Sequence, residues 1–289
     1  MAVYERTYWR YDGPLTTPWR RFLVVPRYAL ADVMRSRPFV MFYLLCFVPP
    51  FAGLIMIYLR HNLAALQLLG LPLERIRQAL PIDGHFFDAG LELQGFFSFL
   101  LAVAVAPALI SADLRNNGLA LYLSRPFSRA EYVLGKLSVL AFLLSTITWI
   151  PGILLFLLQG SLEGGGWFGA QARILGALLL GSWAWIVALS LLALAVSAWV
   201  KWKPVARISL LILFFVLSAF GRVTEMTLGT WWGELLSLRL VIQTIWAGLF
   251  GLDLPTGMPL AAAWVAFAAG SLVCLALLLR RIRAYEVVR

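Results

Sequence analysis

The chain has 289 residues, 62% of them hydrophobic and only 13% charged, with a mean hydropathy of +0.85. Soluble domains run at about 45–50% apolar and about 25% charged, so this composition excludes an ordinary soluble globule and points to a polytopic membrane protein. The net charge of +10 would suit a nucleic-acid binder if it were gathered on one face, but here it sorts by loop.

Residues 1–17 are polar and aromatic and read as a cytoplasmic tail. No cleavable signal peptide is expected, because the first apolar run begins only at Phe39, after many charges. Residues 18–37 form a basic amphipathic stretch. Trp19, Phe22, Leu23, Leu30, Val33 and Met34 share a helical stripe, with Arg20, Arg27 and Arg35 opposite and Pro26 as an interruption or kink. Such a helix can lie in the membrane interface; the alternative is a plain basic tail flanking the first span.

Crossing the hydrocarbon takes about 20 apolar residues. Six runs reach that scale, at about 39–59, 95–112, 137–158, 174–199, 204–221 and 260–279. Pro49-Pro50, Pro107 and Pro151 fall inside three of them and predict kinks, tolerated where neighbours satisfy the freed carbonyls. Of the 24 Lys and Arg residues, 18 lie in the termini and the 2–3 and 4–5 loops, and six lie on the other side. The positive-inside rule therefore places both termini in the cytoplasm.

Between the second and third spans lies the most informative stretch, from Ser111 to Lys136. Gly118 accepts a left-handed backbone and can end the helix leaving the membrane. Leu119 to Leu123 is a short apolar piece, Pro126 forces a corner, and Ser128 with Glu131 has the spacing of a capping box for the next helix. Arg115, Arg125, Arg129 and Lys136 make it basic. Leu119, Leu121 and Leu123 are odd in a solvated loop, because exposed apolar surface costs roughly 25 cal/mol per Å², so a partner surface is expected.

The run "LYLSRPFSRAEYVLGK", preceded by Asp113 and by Asn117-Gly118, resembles the corresponding loop of ABC type-2 permeases, the membrane subunits of ATP-binding-cassette exporters. The matching residues are Asp113, Gly118, Ser124, Pro126, Ser128, Arg129, Gly135 and Lys136; Leu119 stands where that family commonly has threonine. The resemblance implies an all-α, six-span fold with an N-terminal interfacial elbow helix (Arg20, Phe22, Arg27, Leu30, Val33) and a re-entrant or interfacial external segment before the last span. It further implies two membrane subunits, whether two copies or a copy and a paralogue, served by separate cytoplasmic ATPases. The coupling segment would comprise Asp113, Arg115, Gly118, Leu119, Leu121, Leu123, Arg125, Pro126, Ser128, Arg129, Glu131 and Lys136. On this reading residues 1–38 are tail and elbow, residues 39–289 are the permease domain, and the protein sits in a prokaryotic inner membrane.

Two external segments exceed simple connectors. Residues 60–94 carry Leu63, Leu66, Leu69, Leu73, Ile76 and Leu80 in an amphipathic pattern. Residues 222–259 contain an apolar run, 228–251, broken by Glu234 and Arg239. A seventh span there would move Arg280, Arg281 and Arg283 outside and place two charges in hydrocarbon. A re-entrant or interfacial helix avoids both, with Trp231, Trp232 and Trp246 expected in the headgroup zone.

The chain carries no chemistry of its own that the sequence reveals. Gly135-Lys136 lacks the earlier glycine of a phosphate-binding loop, so ATP and Mg are expected only in a partner ATPase, and no cofactor or metal is expected on this chain. Asp83, His85, Asp88 and Glu92 form the one His–carboxylate cluster; a solvated loop is the simpler reading, a metal site the sharper one. Ser98, Ser145, Thr146, Thr148, Ser182, Ser190 and Ser197 lie in the spans, where they can hydrogen-bond between helices or line a substrate route. Gly176, Ala177, Gly181 and Ser182 suggest close helix packing. Cys46 and Cys274 lie in apolar runs and read as small hydrophobes. The alternative function is a non-transporting structural or assembly subunit of a larger membrane complex.

Overall fold

The structure, a computed structural model, describes residues 18–62, 81–111, 113 and 129–282, without the side chains of 18–22 and 129. The described residues are all helical or connecting, with no strand. In chain order the helices are α1 (Pro18–Met34), α2 (Arg37–Leu45), α3 (Val48–His61), α4 (Gly84–Leu109), α5 (Arg129–Ile147), α6 (Trp149–Glu163) and the short α7 (Gly165–Ala170). There follow α8 (Ala172–Trp199), α9 (Lys203–Leu228), a 3₁₀ turn (Trp232–Leu236), α10 (Leu238–Phe250) and α11 (Leu260–Arg281). Among the described residues, six stretches are long and apolar enough to cross a membrane: 37–61, 84–109, 130–163, 172–199, 203–228 and 260–281. This is a polytopic, integral membrane protein with the six spans that the apolar runs predict.

α8 is the central post. It packs against α4, α5, α6, α9, α10 and α11. Apolar residues surround its whole circumference, the pattern of a helix without a solvent face. Small residues let neighbours approach it: Gly181 and Ser182 are buried, and a Cβ on Gly181 would lie 2.8 Å from the Trp246 ring. Gly176, of the same predicted small-residue patch, faces open space instead.

The proline expectations divide. Pro50 removes the N–H that would bond the Cys46 carbonyl one turn earlier. The first span accordingly breaks between α2 and α3, and the buried Gln94 of α4 donates from Nε2 to that carbonyl at 3.0 Å. Pro151 likewise coincides with a one-residue break at Thr148, whose hydroxyl donates back to the Leu144 carbonyl. Pro107 sits inside an unbroken α4. Pro26 also sits inside an unbroken α1, which corrects the expected interruption; it is buried where α1 crosses α5.

Boundaries shift where polar residues masked a helix. The second span begins at Gly84 rather than Gly95, because the Asp83 carboxylate accepts from the backbone N–H groups of His85 (3.0 Å) and Phe86 (3.2 Å). The supposed solvated loop 83–94 is therefore the opening of a helix. The third span with its extension runs 34 residues. At 1.5 Å per residue that is about 51 Å along its two helices, longer than the roughly 30 Å of hydrocarbon. The predicted amphipathic helix over 63–80 lies outside the described residues.

The segment before the last span is a hairpin of the 3₁₀ turn and α10. α10 has 13 residues, about 20 Å, too short to span. Trp246 does not face outward: it is 3% exposed and its indole N–H donates to the Gly181 carbonyl at 2.9 Å. The hairpin plugs into the bundle instead of floating on it, because Gly95 and Gly181 leave room for that ring. Trp231 and Trp232 stack on one another, centroids 4.3 Å apart.

Candidate functional site

The contacts sort the connections to two ends of the bundle. His61 meets Glu163 at 3.3 Å at one end, which also holds the hairpin. At the other, the Ser111 hydroxyl donates to the Ser197 carbonyl at 2.9 Å, and Arg281 lies over the Trp199 ring. The basic stretch predicted as a coupling segment springs from this second end.

Its base is closed by an ion pair. Lys136 Nζ lies 2.9 Å from Asp113 Oδ2, and the Tyr132 hydroxyl donates to the same oxygen at 2.8 Å. Lys136 is 5% exposed and its ammonium sits 5.4 Å from the centre of the Tyr132 ring. A buried ammonium is costly unless paired and hydrogen-bonded, and here the pair forms across the two stems of the segment. Helical spacing explains the convergence: Tyr132 and Lys136 are four apart on α5, hence on one face. Asp113 follows the end of α4, which packs along α5. Lys136, expected among the cations of the loop, is thus a buried strut.

The elbow completes the arrangement. α1 packs along α5, and Val25 and Pro26 lie against Gly135, where an added Cβ would come within 3.2 Å of Val25. Leu30 and Val33, with Ala29, are half-buried against the apolar core. Arg27 and Arg35 are exposed, on the polar side that the sequence predicts. Leu23, Val24 and Met34 are exposed as well, so the apolar stripe is wider than the seat on α5. Apolar residues left over on a basic helix suit a membrane interface. Arg20 and Phe22 belong to α1, but their side chains lie outside the description.

Of the predicted segment, Asp113, Glu131 and Lys136 are described, together with the backbone of Arg129, where α5 begins. Arg115, Gly118, Leu119, Leu121, Leu123, Arg125, Pro126 and Ser128 lie outside the described residues. The structure brings Asp113 and Lys136 together with Tyr132, a residue that sequence reasoning missed; its four-residue spacing from Lys136 was the available signal.

A second feature is a cavity of about 360 Å³ between α3, α4 and α6. Its wall is apolar apart from Gln94 and Thr148 and includes the kink residues Pro49, Pro50 and Pro151. The predicted polar span residues act mostly between or within helices. Ser98 accepts from the Trp185 indole, Thr146 meets the Tyr43 hydroxyl, and Ser197 donates to the Ala193 carbonyl. Ser182 and Ser190 are buried with hydroxyls that bond no other described residue.

No family model matches this chain, and no curated protein matches it.

Proposed function

We propose that this chain is the membrane subunit of an ATP-binding-cassette exporter, forming a translocation path that a separate cytoplasmic ATPase drives. The observation that carries the reading is the Asp113–Tyr132–Lys136 closure at the base of a basic, leucine-bearing segment, with α1 seated on the same helix. A mechanical coupling element needs this: a short segment whose two stems are pinned, so that force on it moves α4 and α5 together. The matched residues Asp113, Gly135 and Lys136 each have a physical task in that base.

In the proposed mechanism Leu119, Leu121 and Leu123 enter a groove of the ATPase, and Arg125 and Arg129 set the register. Closure of the ATPase on ATP and Mg pushes the segment, and α5 carries the displacement along the third span to the break at Thr148. The 360 Å³ apolar cavity beside that break, next to Pro151 and Gly152, is where such a movement changes shape first. The functional unit contains two membrane subunits in an inner membrane, with both termini cytoplasmic. This chain supplies no nucleotide site.

The test is affinity purification of the full chain from its native membrane at low detergent, followed by identification of what comes with it. A stoichiometric protein with a phosphate-binding loop, lost on Leu121→Asp, is the expected result. A stable complex without such a protein would make the chain a structural or assembly subunit and overturn the proposal.

A further inference from the structure

A second cavity, of about 300 Å³, opens at the hairpin end between α4, α8, α9 and α10. Its floor is aromatic, with Trp185 and Trp246 meeting edge to face at 5.9 Å. Both indoles are fixed: Trp246 donates to the Gly181 carbonyl, and Trp185 donates to the Ser98 hydroxyl. The floor is therefore a rigid slot. The rim carries one acid, Glu92 of α4, and one base, Arg239 of α10, both exposed. Gln243, on the same rim, donates from Nε2 to Glu92 Oε1 at 3.1 Å, which fixes that carboxylate and leaves its other oxygen available. Among the described residues, neither Glu92 nor Arg239 makes an ion pair, with the other or with any third group.

An anion and a cation held apart over an apolar slot match a molecule with a zwitterionic head and an apolar body. The guanidinium fork suits a phosphate, and the carboxylate suits an ammonium. The slot lies at the end of the bundle that carries the stacked Trp231 and Trp232, side chains that settle at headgroup depth. Leu93 and Phe96, on the cavity wall, are 47% and 41% exposed and continue it onto the outer apolar flank. At the small end of the usual range of about 300–1,000 Å³ for ligand sites, the cavity takes one end of a lipid, and the flank takes its chains. We propose that it binds a zwitterionic phospholipid of the phosphatidylethanolamine type, with phosphate on Arg239, ammonium on Glu92 and the first methylenes against the tryptophans. The site does not depend on the permease reading, since a scaffolding subunit would hold lipid with the same residues.

The experiment is native mass spectrometry of the full chain, as purified in detergent, titrated with three lipids of identical acyl chains: phosphatidylethanolamine, phosphatidylglycerol and diacylglycerol. Loss of one charge-assisted contact is worth about tenfold. Phosphatidylethanolamine should therefore be retained about tenfold better than phosphatidylglycerol, with diacylglycerol weaker than either. Glu92→Gln should erase the preference between the two phospholipids, and Arg239→Gln should weaken both together, each with an unchanged size-exclusion profile. Equal retention of the two phospholipids by the wild-type chain overturns the proposal, whatever happens to the variants. So does a folded Glu92→Gln that keeps the preference. If soluble glycerophosphoethanolamine displaces the lipid at equal concentration, the aromatic slot contributes nothing and the lipid assignment falls.

Discussion

The two ends of the bundle handle buried charge in opposite ways. At the end from which the basic segment springs, Lys136 is buried against Asp113 with Tyr132 as a second donor, so each charge has its complement. At the hairpin end, the fully buried Glu234 faces another carboxyl, that of Glu225, which Arg222 pairs at 3.8 Å; the Arg222 charge only partly offsets the pair. Burial foremost, and then the Glu225 charge, push the Glu234 carboxyl up to about 7. The pairing of Lys136 with Asp113 makes one end a fixed strut. The raised Glu234 carboxyl predicts that the other end answers to pH.

The largest effect concerns the sides on which the two ends lie. A single cysteine introduced at Gly165 should label with an impermeant maleimide on intact cells, and one at Asn116 only after lysis. The expected difference is all-or-none, and reversed labelling would put the strut outside.

Removing one member of the strut comes next. Asp113→Ala leaves the Lys136 ammonium buried without its carboxylate and should cost about 3–5 kcal/mol in denaturant unfolding of the purified protein. The double replacement Asp113→Asn with Lys136→Met should recover most of that loss. Equal loss in the single and double variants would mean that packing, and not the ion pair, holds the base.

The hairpin end should answer to pH. Because the folded state holds the Glu234 proton more tightly than the unfolded chain, hairpin stability should be greatest below about pH 4.5. It should fall as pH rises from there to about 7, then level off. The shift corresponds to a change on the order of 3 kcal/mol. Amide hydrogen exchange of residues 232–250 at a series of pH values reads it, and Glu234→Gln should flatten the profile. An unchanged slope in that variant would place the titrating group elsewhere.

The smallest effect concerns the elbow. Gly135→Leu adds a side chain where Val25 already stands within 3.2 Å of an added Cβ. Overpacking of this kind costs about 1–3 kcal/mol and should raise proteolysis of α1 without unfolding the bundle. The same change at Gly176, which faces open space, should do neither.

Much of this was legible in the chain itself, for reasons that also mark the limits. Six spans follow from apolar run length, since water excludes such runs whatever their neighbours. The polar opening of α4 was not read, because a helix that starts in a capped, carboxylate-bearing turn looks like a loop to hydropathy. The preference of tryptophan for interfaces predicts one for Trp246; its real seat depends on Gly95 and Gly181, distant glycines whose gaps only the fold brings together. Pro50 announced a break, but not that Gln94, 48 residues from Cys46, would satisfy the freed carbonyl. At the candidate site Asp113 and Lys136 were singled out separately; their union needed the geometry of α4 against α5.

We propose that the basic segment, pinned by Asp113 and Lys136, couples this chain to an ATPase. This coupling is tested most directly by ATP turnover and partner binding in the reconstituted complex, with Leu121→Asp and Arg129→Glu compared with the wild type. Both variants should leave the membrane subunit folded by its size-exclusion profile, weaken capture of the ATPase or uncouple its turnover from substrate, and do so more severely for Leu121→Asp. Normal binding together with normal substrate-linked turnover in both variants would contradict the account.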